Sequence, residues 1–595
     1  MFRRLLIANR GGIACRIAAT AGRMGLHVTA VHSEADTGAA HVRAADESVC
    51  IGPARAQASY LDIDALIDAA RRTGAEAVHP GYGFLSENAE FAERVAGAGL
   101  IFVGPPAEAI RAMGSKSAAK KIAADAQVPL VPGYHEADAT PERLAEAAAG
   151  IGYPVLVKAS AGGGGRGMRI VERAEDLAGA LAAAEREAAA AFGDGTLLLE
   201  RYIARPRHVE VQVLADVHGA VLHLLDRDCS IQRRHQKVIE EAPAPGLPGP
   251  LRAEMGEAAV RLARAIGYVG AGTVEFLVEN DSAFHFIEMN TRLQVEHPVT
   301  EMVTGLDLVE WQLRIAAGEP LAFSQGDVAA SGHAVEARLY AEDPARGFLP
   351  QTGRLAYLAF PEGRPGLRID SGVETGDEIT PFYDPMIAKV VAWGEDRERA
   401  RLALADGLAD THIAGLNTNL FFLETLARHP AFAEAALDTH FIETHDVAAA
   451  EPPAGDTEAM RAMAAIAVLE DRAVRRLARQ EAAPDRFSPW GRSDAWRLNG
   501  TGRDRLDFDD NGEKATYEVM HTGSGYRLEN GECAVAVAGV ARGPDGALTA
   551  EIDGRRRSGA VIADGNRLEI FLSGARRQIL LENPGAAAES AEMGG

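Results

Sequence analysis

Four short apolar runs mark the first 105 residues, LLIAN (5–9), HVTAVHS (27–33), AEAVHP (75–80) and LIFVGP (100–105), and each gap is long enough for a helix. Strands separated in this way predict an open parallel α/β sheet, because parallel neighbours need crossover connections of helix length. At 595 residues the chain is too long for one core, so several domains of roughly 100 to 200 residues are expected.

Beyond Gly114 the pattern becomes mixed α+β, with Lys116 opening a helix over SAAKKIAADA and a strand at YPVLVKAS. APAPGLPGP (242–250) reads as a loop, since each proline removes a backbone donor. After Asp446 the character changes. Glu451, Pro452 and Pro453 break the chain, and Asp456 is placed to cap a helix running to about Gln480. Its candidate buried positions are Met460, Met463, Ile466, Val468, Leu469, Val474 and Leu477. From Trp496 onward, short alternating segments are separated by Asn511-Gly512, Asp545-Gly546, Asp553-Gly554 and Asp564-Gly565. These pairs suit the positive φ angles of hairpin turns and predict a small antiparallel sheet or barrel. The residues from Pro584 on are Ala/Gly/Glu-rich and read as a linker or tail.

Net charge narrows the partners. With 61 Lys+Arg against 85 Asp+Glu, the chain carries −24, which opposes nucleic acid binding. Cys15, Cys50, Cys229 and Cys533 lack Cys-x-x-Cys spacing, arguing against a zinc site or disulfide framework and for a reducing compartment. No apolar run reaches the roughly 18 residues of a membrane span, and FRRLLIANR at the N-terminus reads as a strand. Cytoplasm, with no targeting peptide and no membrane association, is the expectation.

Three segments carry chemistry. KASAGGGGRGMRI (158–170) sets four glycines after a strand, where bare N–H groups can wrap phosphate oxygens. Surface loops share that composition, and the Gly-Lys-Ser/Thr ending of a Walker A loop is absent. Glu275 in GTVEFLV, with Glu288 and Asn290 in FHFIEMNTR, offers two carboxylates and an amide at neighbouring strands, with Glu288 and Asn290 on one face and Ile287 and Met289 on the other. That donor set suits Mg2+, though exposed strand residues are the simpler alternative. RDCSIQRRHQKVIEEAPAP (227–245) concentrates Arg233, Arg234, His235 and Lys237, a cluster that also fits a solvated face.

Taken together, HPGYGFLSEN (79–88), the glycine run after Lys158, RDCSIQRRHQK and FIEMNTRLQVEHPVTE (286–301) resemble the biotin carboxylase family of ATP-grasp enzymes in order and spacing. The resemblance spans Phe2 to Ile442. It implies an N-terminal biotin carboxylase domain of Rossmann-like α/β architecture (1–113), an ATP-grasp domain with a mobile lid (114–330) and a biotin carboxylase C-terminal domain (331–446), after which the helix plus antiparallel β-barrel read above takes up 447–583 and the tail 584–595.

The resemblance also implies roles. Lys116, Lys158, Glu200, His208, Gln232 and His235 hold ATP, and Gly163, Gly164, Gly165 and Gly167 form the lid over its phosphates. Glu275 and Glu288 bind Mg2+ (or Mn2+), with Asn290 supporting. Lys237, Arg292, Gln294 and the backbone at Val295 hold bicarbonate, and Glu296 is the general base. Carboxyphosphate is the intermediate, and Arg338 stabilises the enolate-like anion of biotin. Each role makes chemical sense, since Arg offers a permanent planar cation and a Glu beside fixed cations stays ionised.

Two departures stand out. The family pattern ANRGEIA carries Gly12 in place of Glu, and no Met-Lys dipeptide of a biotinylated carrier occurs. The carrier is then a separate chain or lies beyond the linker-like end, the second being the preferred reading. YDPMIAK (383–389) and SPWGRSDAWRLNG (488–500) are similar to acyl-CoA carboxylase α subunits, the second segment most of all to those acting on 3-methylcrotonyl-CoA in leucine degradation. Geranyl-CoA, propionyl-CoA or another acyl-CoA is the alternative substrate. In that family the helix and barrel dock on a carboxyltransferase β subunit, which implies a hetero-oligomer. A different ATP-grasp ligase and a non-catalytic assembly subunit are the competing readings; neither accounts for the Arg292–Glu296 set with Arg338.

Overall fold

The computed structural model describes residues 1–136, 139–160, 168–361, 363–450, 455–482, 502–531, 533–543 and 546–582. The chain folds into two compact units. One contains Met1–Arg354, Phe360–Thr411 and Asn417–Ala450; the other contains Leu355–Ala359, His412–Leu416 and Glu451–Gly595.

The first unit opens with the expected parallel sheet. Strands β1 (Arg4–Ile7), β2 (His27–Ser33), β3 (Glu47–Gly52), β4 (Ala77–His79) and β5 (Ile101–Phe102) lie in the order β3-β2-β1-β4-β5. Leu5, Ile7, Ile13 and Ile17 belong to one core, while Leu6, Val31, Leu66 and Phe91 belong to another. Layers on both faces explain the continuous apolar runs. β3 escapes that pattern because it is an edge strand whose one buried residue is Ile51. The Gly11–Arg23 helix starts hard against the chain at Gly372, where a Cβ would lie 2.4 Å from the Gly12 nitrogen. A Cβ on Gly12 itself would meet nothing closer than 3.6 Å, an ordinary van der Waals contact, so the backbone at position 12 leaves room for a Cβ.

A smaller antiparallel sheet follows, in the order β6-β9-β7-β8, from β6 (Gly133–Tyr134), β7 (Val155–Ala159), β8 (Arg169–Val171) and β9 (Leu197–Arg201). Leu144, Leu177 and Leu181 from two helices pack on its Val155, Val157 and Leu199. The glycine run, and with it Gly163, Gly164, Gly165 and Gly167, lies outside the described residues.

The sheet that positions the site has eight antiparallel strands: β10 (Arg207–Ala215), β11 (Val221–Arg233), β12 (Gln236–Ala242), β13 (Gly270–Glu279), β14 (Ala283–Asn290), β15 (His333–Tyr340), β16 (Leu367–Ser371) and β17 (Met386–Gly394). Their order is β14-β13-β10-β11-β12-β15-β17-β16. Val209, Val211 and Val213 of β10 pack with Met255, Ala259 and Leu262 of the Gly249–Ala265 helix. The strand period of two then sends His208, Glu210 and Gln212 to the opposite face. The proline-rich loop is present, but Gly249 and Pro250 already form the first turn of that helix, where a missing N–H costs nothing.

In the second unit, eight antiparallel strands from Arg503–Asp510 to Ala575–Leu581 close into a barrel. Asn511 and Gly512 have φ of 54° and 90°, and Asp553 and Gly554 have 47° and 73°, as their hairpin turns require. A helix over Thr457–Ala482 is capped by Asp456, whose Oδ1 accepts the Ala459 N–H at 3.1 Å. Every residue from Ala459 to Leu469 is buried, and Met460, Met463 and Ile466 share one core with Phe508, Tyr517 and Ile570 of the barrel. Val474 and Leu477, expected to be buried, are 58% and 51% exposed. Enclosure ends about halfway along the helix. The segment SPWGRSDAWRLNG and the tail fall outside the described residues.

Candidate active site

The outward face of the eight-stranded sheet gathers charge in a place that water barely reaches. At its centre stands Lys237 on β12, whose Nζ donates to Glu210 Oε2 at 2.5 Å, Glu275 Oε1 at 2.9 Å and Glu296 Oε1 at 2.6 Å. Glu210 and Glu296 are fully buried, and Glu275 is 6% exposed. Burial opposes the ammonium charge, but Cys229 and these three carboxylates outweigh it and hold the Lys237 pKa well above its usual value.

Glu296 precedes the His297–Thr304 helix and joins two cations. Beside Lys237, it accepts Arg338 Nη2 on Oε2 at 2.9 Å. Burial penalises its charge, yet Lys237, Arg338 and Arg227 keep its carboxyl well below the ordinary carboxylate range. Arg227 is fully buried, and donates to Glu210 Oε1 at 2.5 Å, Gln212 at 2.8 Å, Thr300 at 2.9 Å and Thr273 at 3.0 Å.

The loop after β14 brings in the remaining polar groups. Arg292 donates Nε to Glu87 at 2.9 Å, Nη1 to Gln294 Oε1 at 2.7 Å and Nη2 to Asn290 Oδ1 at 3.1 Å. Gln294 reaches Glu275 Oε1 at 3.1 Å, and the Val295 carbonyl accepts Lys389 Nζ at 2.6 Å. Glu87 gives the HPGYGFLSEN motif its purpose here: it also accepts the Thr291 N–H at 3.1 Å, so the motif fixes both the backbone and the guanidinium of this loop.

Glu275 and Glu288 are directly opposed on β13 and β14, with a register shift just beyond Glu275. Met289 enters the core as expected, while the shift breaks strict alternation at Ile287. Asn290 Nδ2 donates to Glu275 Oε1 at 2.8 Å. Lys237 and His208, the latter 3.0 Å from Glu275 Oε2, overcome burial and hold the Glu275 carboxyl far below its usual range. Burial and the adjacent Glu275 push Glu288 the other way. Two facing carboxylates, one depressed and one raised, are the donor set a hard divalent cation completes. The neighbouring group His208, Glu210 and Glu275 also has metal-like spacing. Lys237 already bridges Glu210 and Glu275, so that cluster is an ion-pair network.

A second cluster lies on the small sheet. Lys158 Nζ sits 2.5 Å from Glu200 Oε2, Lys120 binds the same carboxylate, and Lys116 Nζ reaches the Ala159 carbonyl at 3.5 Å. Burial raises and the two lysines lower Glu200, with the lysines prevailing. Gln232 contacts His208 Nδ1 at 3.4 Å, and His235 is exposed in the β11–β12 turn with φ of 67°.

The arrangement thus gathers Lys237, Arg292, Gln294, Val295, Glu296 and Arg338 with Glu275 in one polar constellation, and Lys116, Lys158 and Glu200 in another. Sequence reasoning missed Glu87, Lys120, Glu210, Arg227 and Lys389. The alternation in RHVEVQVLA and HAVEARLY gives the faces of Glu210 and Arg338, but long-range pairing alone reveals which charges meet.

Four family models match the chain: "Biotin carboxylase, N-terminal domain" over 1–110, "Carbamoyl-phosphate synthase L chain, ATP binding domain" over 115–324, "Biotin carboxylase C-terminal domain" over 336–444, and "Methylcrotonyl-CoA carboxylase, alpha-subunit, BT domain" over 457–583. The mitochondrial methylcrotonoyl-CoA carboxylase subunit alpha of Dictyostelium discoideum is 50% identical over 529 residues, covering 89% of this chain and 75% of the relative. The propionyl-CoA carboxylase alpha chain of Ruegeria pomeroyi is 50% identical over 461 residues, 74% of this chain and 68% of that one. Among solved structures, the biotin carboxylase domain of Hydrogenobacter thermophilus 2-oxoglutarate carboxylase, in complex with MgADP, ADP and bicarbonate, is 44% identical with a TM-score of 0.73, covering 76% of this chain and 99% of that one. The first curated relatives are longer, and the chain spans 60–75% of their length.

Proposed function

The chain belongs to the biotin carboxylase family, and from that premise we propose that it uses ATP and bicarbonate to carboxylate carrier-bound biotin through carboxyphosphate. The observation that carries the reading is the Lys237–Glu296–Arg338 constellation, in which a buried carboxylate is held between two cations.

In this reading Lys116, Lys158, Glu200, His208, Gln232 and His235 bind ATP, joined by the glycines 163–165 and 167. Glu275 and Glu288 would hold Mg2+, supported by Asn290. When bound, that ion neutralises phosphate charge and orients the γ-phosphoryl group. Lys237, Arg292, Gln294 and the Val295 backbone receive bicarbonate, and Glu296 removes its proton as the oxygen attacks the γ-phosphorus and ADP leaves. A carboxylate bridged by Lys237 and Arg338 is ionised but a weak base. Its basicity rises when bicarbonate draws Lys237 toward itself, so substrate binding switches the base on. Arg338 then uses its guanidinium to stabilise the enolate-like anion of biotin.

3-Methylcrotonyl-CoA is the acyl substrate we favour, which would place the enzyme in leucine degradation. The methylcrotonyl-type BT match over 457–583 supports it. A carboxyltransferase β subunit and a biotin carrier, on this polypeptide or another, complete the proposed hetero-oligomer. A reducing, cytoplasmic setting accords with four unpaired cysteines.

The deciding experiment measures ADP release with Mg-ATP and bicarbonate, with and without free biotin, for the wild type and Glu296→Ala. Biotin-stimulated release that collapses in the variant is the expected result. Turnover indifferent to biotin would point instead to another ATP-grasp ligase.

A further inference from the structure

Two carboxyl groups beside this constellation have no part in the chemistry just described and no solvent to support their charge. Glu240 on β12 and Glu336 on β15 are fully buried and directly paired across the two strands. Opposed residues of an antiparallel pair project from the same face with Cβ atoms about 5 Å apart. Arg338, two residues beyond Glu336, shares that face. Glu240 Oε1 accepts Arg338 Nε at 2.5 Å, whereas Glu240 Oε2 and both carboxyl oxygens of Glu336 have no hydrogen-bond partner.

The surrounding cations are already committed. Arg338 divides itself between Glu240 and Glu296. Lys389, opposite Arg338 on β17, donates to the Val295 carbonyl and stands 3.6 Å from Asp370 of β16. Lys237, on β12 with Glu240, is held by Glu210, Glu275 and Glu296. Glu296 adds another negative charge from the start of its helix. Two ionised carboxylates side by side, with three of their four oxygens unpaired and dry, are costly. A single proton removes one charge and creates the one donor that the empty oxygens lack.

We propose that Glu240 and Glu336 hold one proton between them and are the positioning residues for Arg338: Glu240 is the anion that fixes the guanidinium through Nε, and protonated Glu336 fixes Glu240. Burial supports this arrangement. It pushes the Glu336 carboxyl well above the ordinary range, with Lys389 offsetting only part, and lifts Glu240 to about 7 against the pull of Arg338. With Nε committed, the Nη groups face Glu296 and, on the reading of the previous subsection, the anion formed from biotin.

The test combines spectroscopy with kinetics. Near neutral pH in heavy water, the infrared difference between the wild type and Glu336→Gln should contain the C=O band of a buried carboxylic acid. A difference made only of carboxylate bands would show Glu336 ionised and overturn the shared proton. In the kinetic arm, Glu336→Gln keeps an uncharged donor and should retain biotin-dependent ADP release within about threefold. Glu240→Gln, which leaves a neutral amide where the anion fixed the guanidinium, should lose about tenfold or more, and the loss should fall more heavily on the biotin-stimulated rate than on the slower release without biotin. Equal losses in both variants, or none in either, would refute the positioning role. A chain with no biotin-stimulated turnover at all would sink the carboxylase reading and not the proton, which the infrared result decides alone.

Discussion

Lys237 is the residue whose loss the site tolerates least, because three buried carboxylates share its one ammonium. Lys237→Met keeps the chain volume and deletes the charge, leaving Glu210, Glu275 and Glu296 with one cation fewer. Removing one partner of a buried ion pair costs roughly 3–5 kcal/mol, so thermal melting should shift down markedly and ADP release should fall at least 100-fold. The direction with pH is diagnostic. The folded pKa of Lys237 lies above its unfolded value of 10.5, so the wild type keeps this contribution throughout the neutral range and loses it only in strong alkali. The variant should instead recover stability as mild acid protonates the orphaned carboxylates. A variant that melts like the wild type at neutral pH would refute the account. Lys237, Glu275, Glu296 and Arg338 were legible because the family resemblance assigns each of them a role. Arg227 and Glu210 were not, since their meeting at 2.5 Å joins strands β11 and β10 through a register no local pattern encodes.

At the scale of elements, strand edges and helix ends decide what could be read. The parallel sheet was legible from its buried central strands; its polar edge strand β3 was not. In the same sheet, β4 ends in His79, fully buried, whose Nδ1 accepts the Gly81 N–H at 3.0 Å while Nε2 lies 3.3 Å from Gln312 Oε1. Protonating Nδ1 would break the first contact, and burial holds the pKa down at about 4 against an unfolded 6.5. The unfolded chain therefore takes up a proton that the fold refuses. Stability is full above about 6.5 and declines toward 4, by on the order of 1 kcal/mol per pH unit for this histidine. His41, also held near 4 by burial, adds to the slope. His79→Gln should flatten the decline in denaturant midpoint over that window, and an unchanged slope would exclude His79 as a source. The Thr457–Ala482 helix shows the complementary limit: a period of 3.6 reveals the apolar stripe but not where the barrel stops enclosing it. Ile466→Ala, at a fully buried position, should cost about 2–5 kcal/mol. Leu477→Ala, at 51% exposure, should stay within about 0.5 kcal/mol in the same melting assay.

Across the whole molecule, labour divides between the two units. Every described residue to which we assign chemistry belongs to the first unit, and none belongs to the barrel unit. The barrel's buried charges are structural: Asp510, 2% exposed, is clamped by Arg461 at 2.7 Å and Arg577 at 2.7 Å. Among the described residues of the barrel unit, the second half of the long helix is exposed, and Val474 and Leu477 are its large apolar side chains left uncovered. Three residues apart, they lie on one helical face. If that face serves assembly with the carboxyltransferase subunit, charging it should separate assembly from catalysis. Val474→Glu combined with Leu477→Glu should leave biotin-stimulated ADP release within about twofold, since nothing in the proposed site changes, while a burial of two apolar side chains worth roughly 1.5–3 kcal/mol each is replaced by repulsion. Co-expressed with the carboxyltransferase subunit of the proposed hetero-oligomer, the double variant should elute apart from it on size exclusion, whereas the wild type is expected to co-elute. A variant that still co-elutes would move the docking surface elsewhere on the barrel unit, and one that loses turnover as well would show that the two units do not work independently.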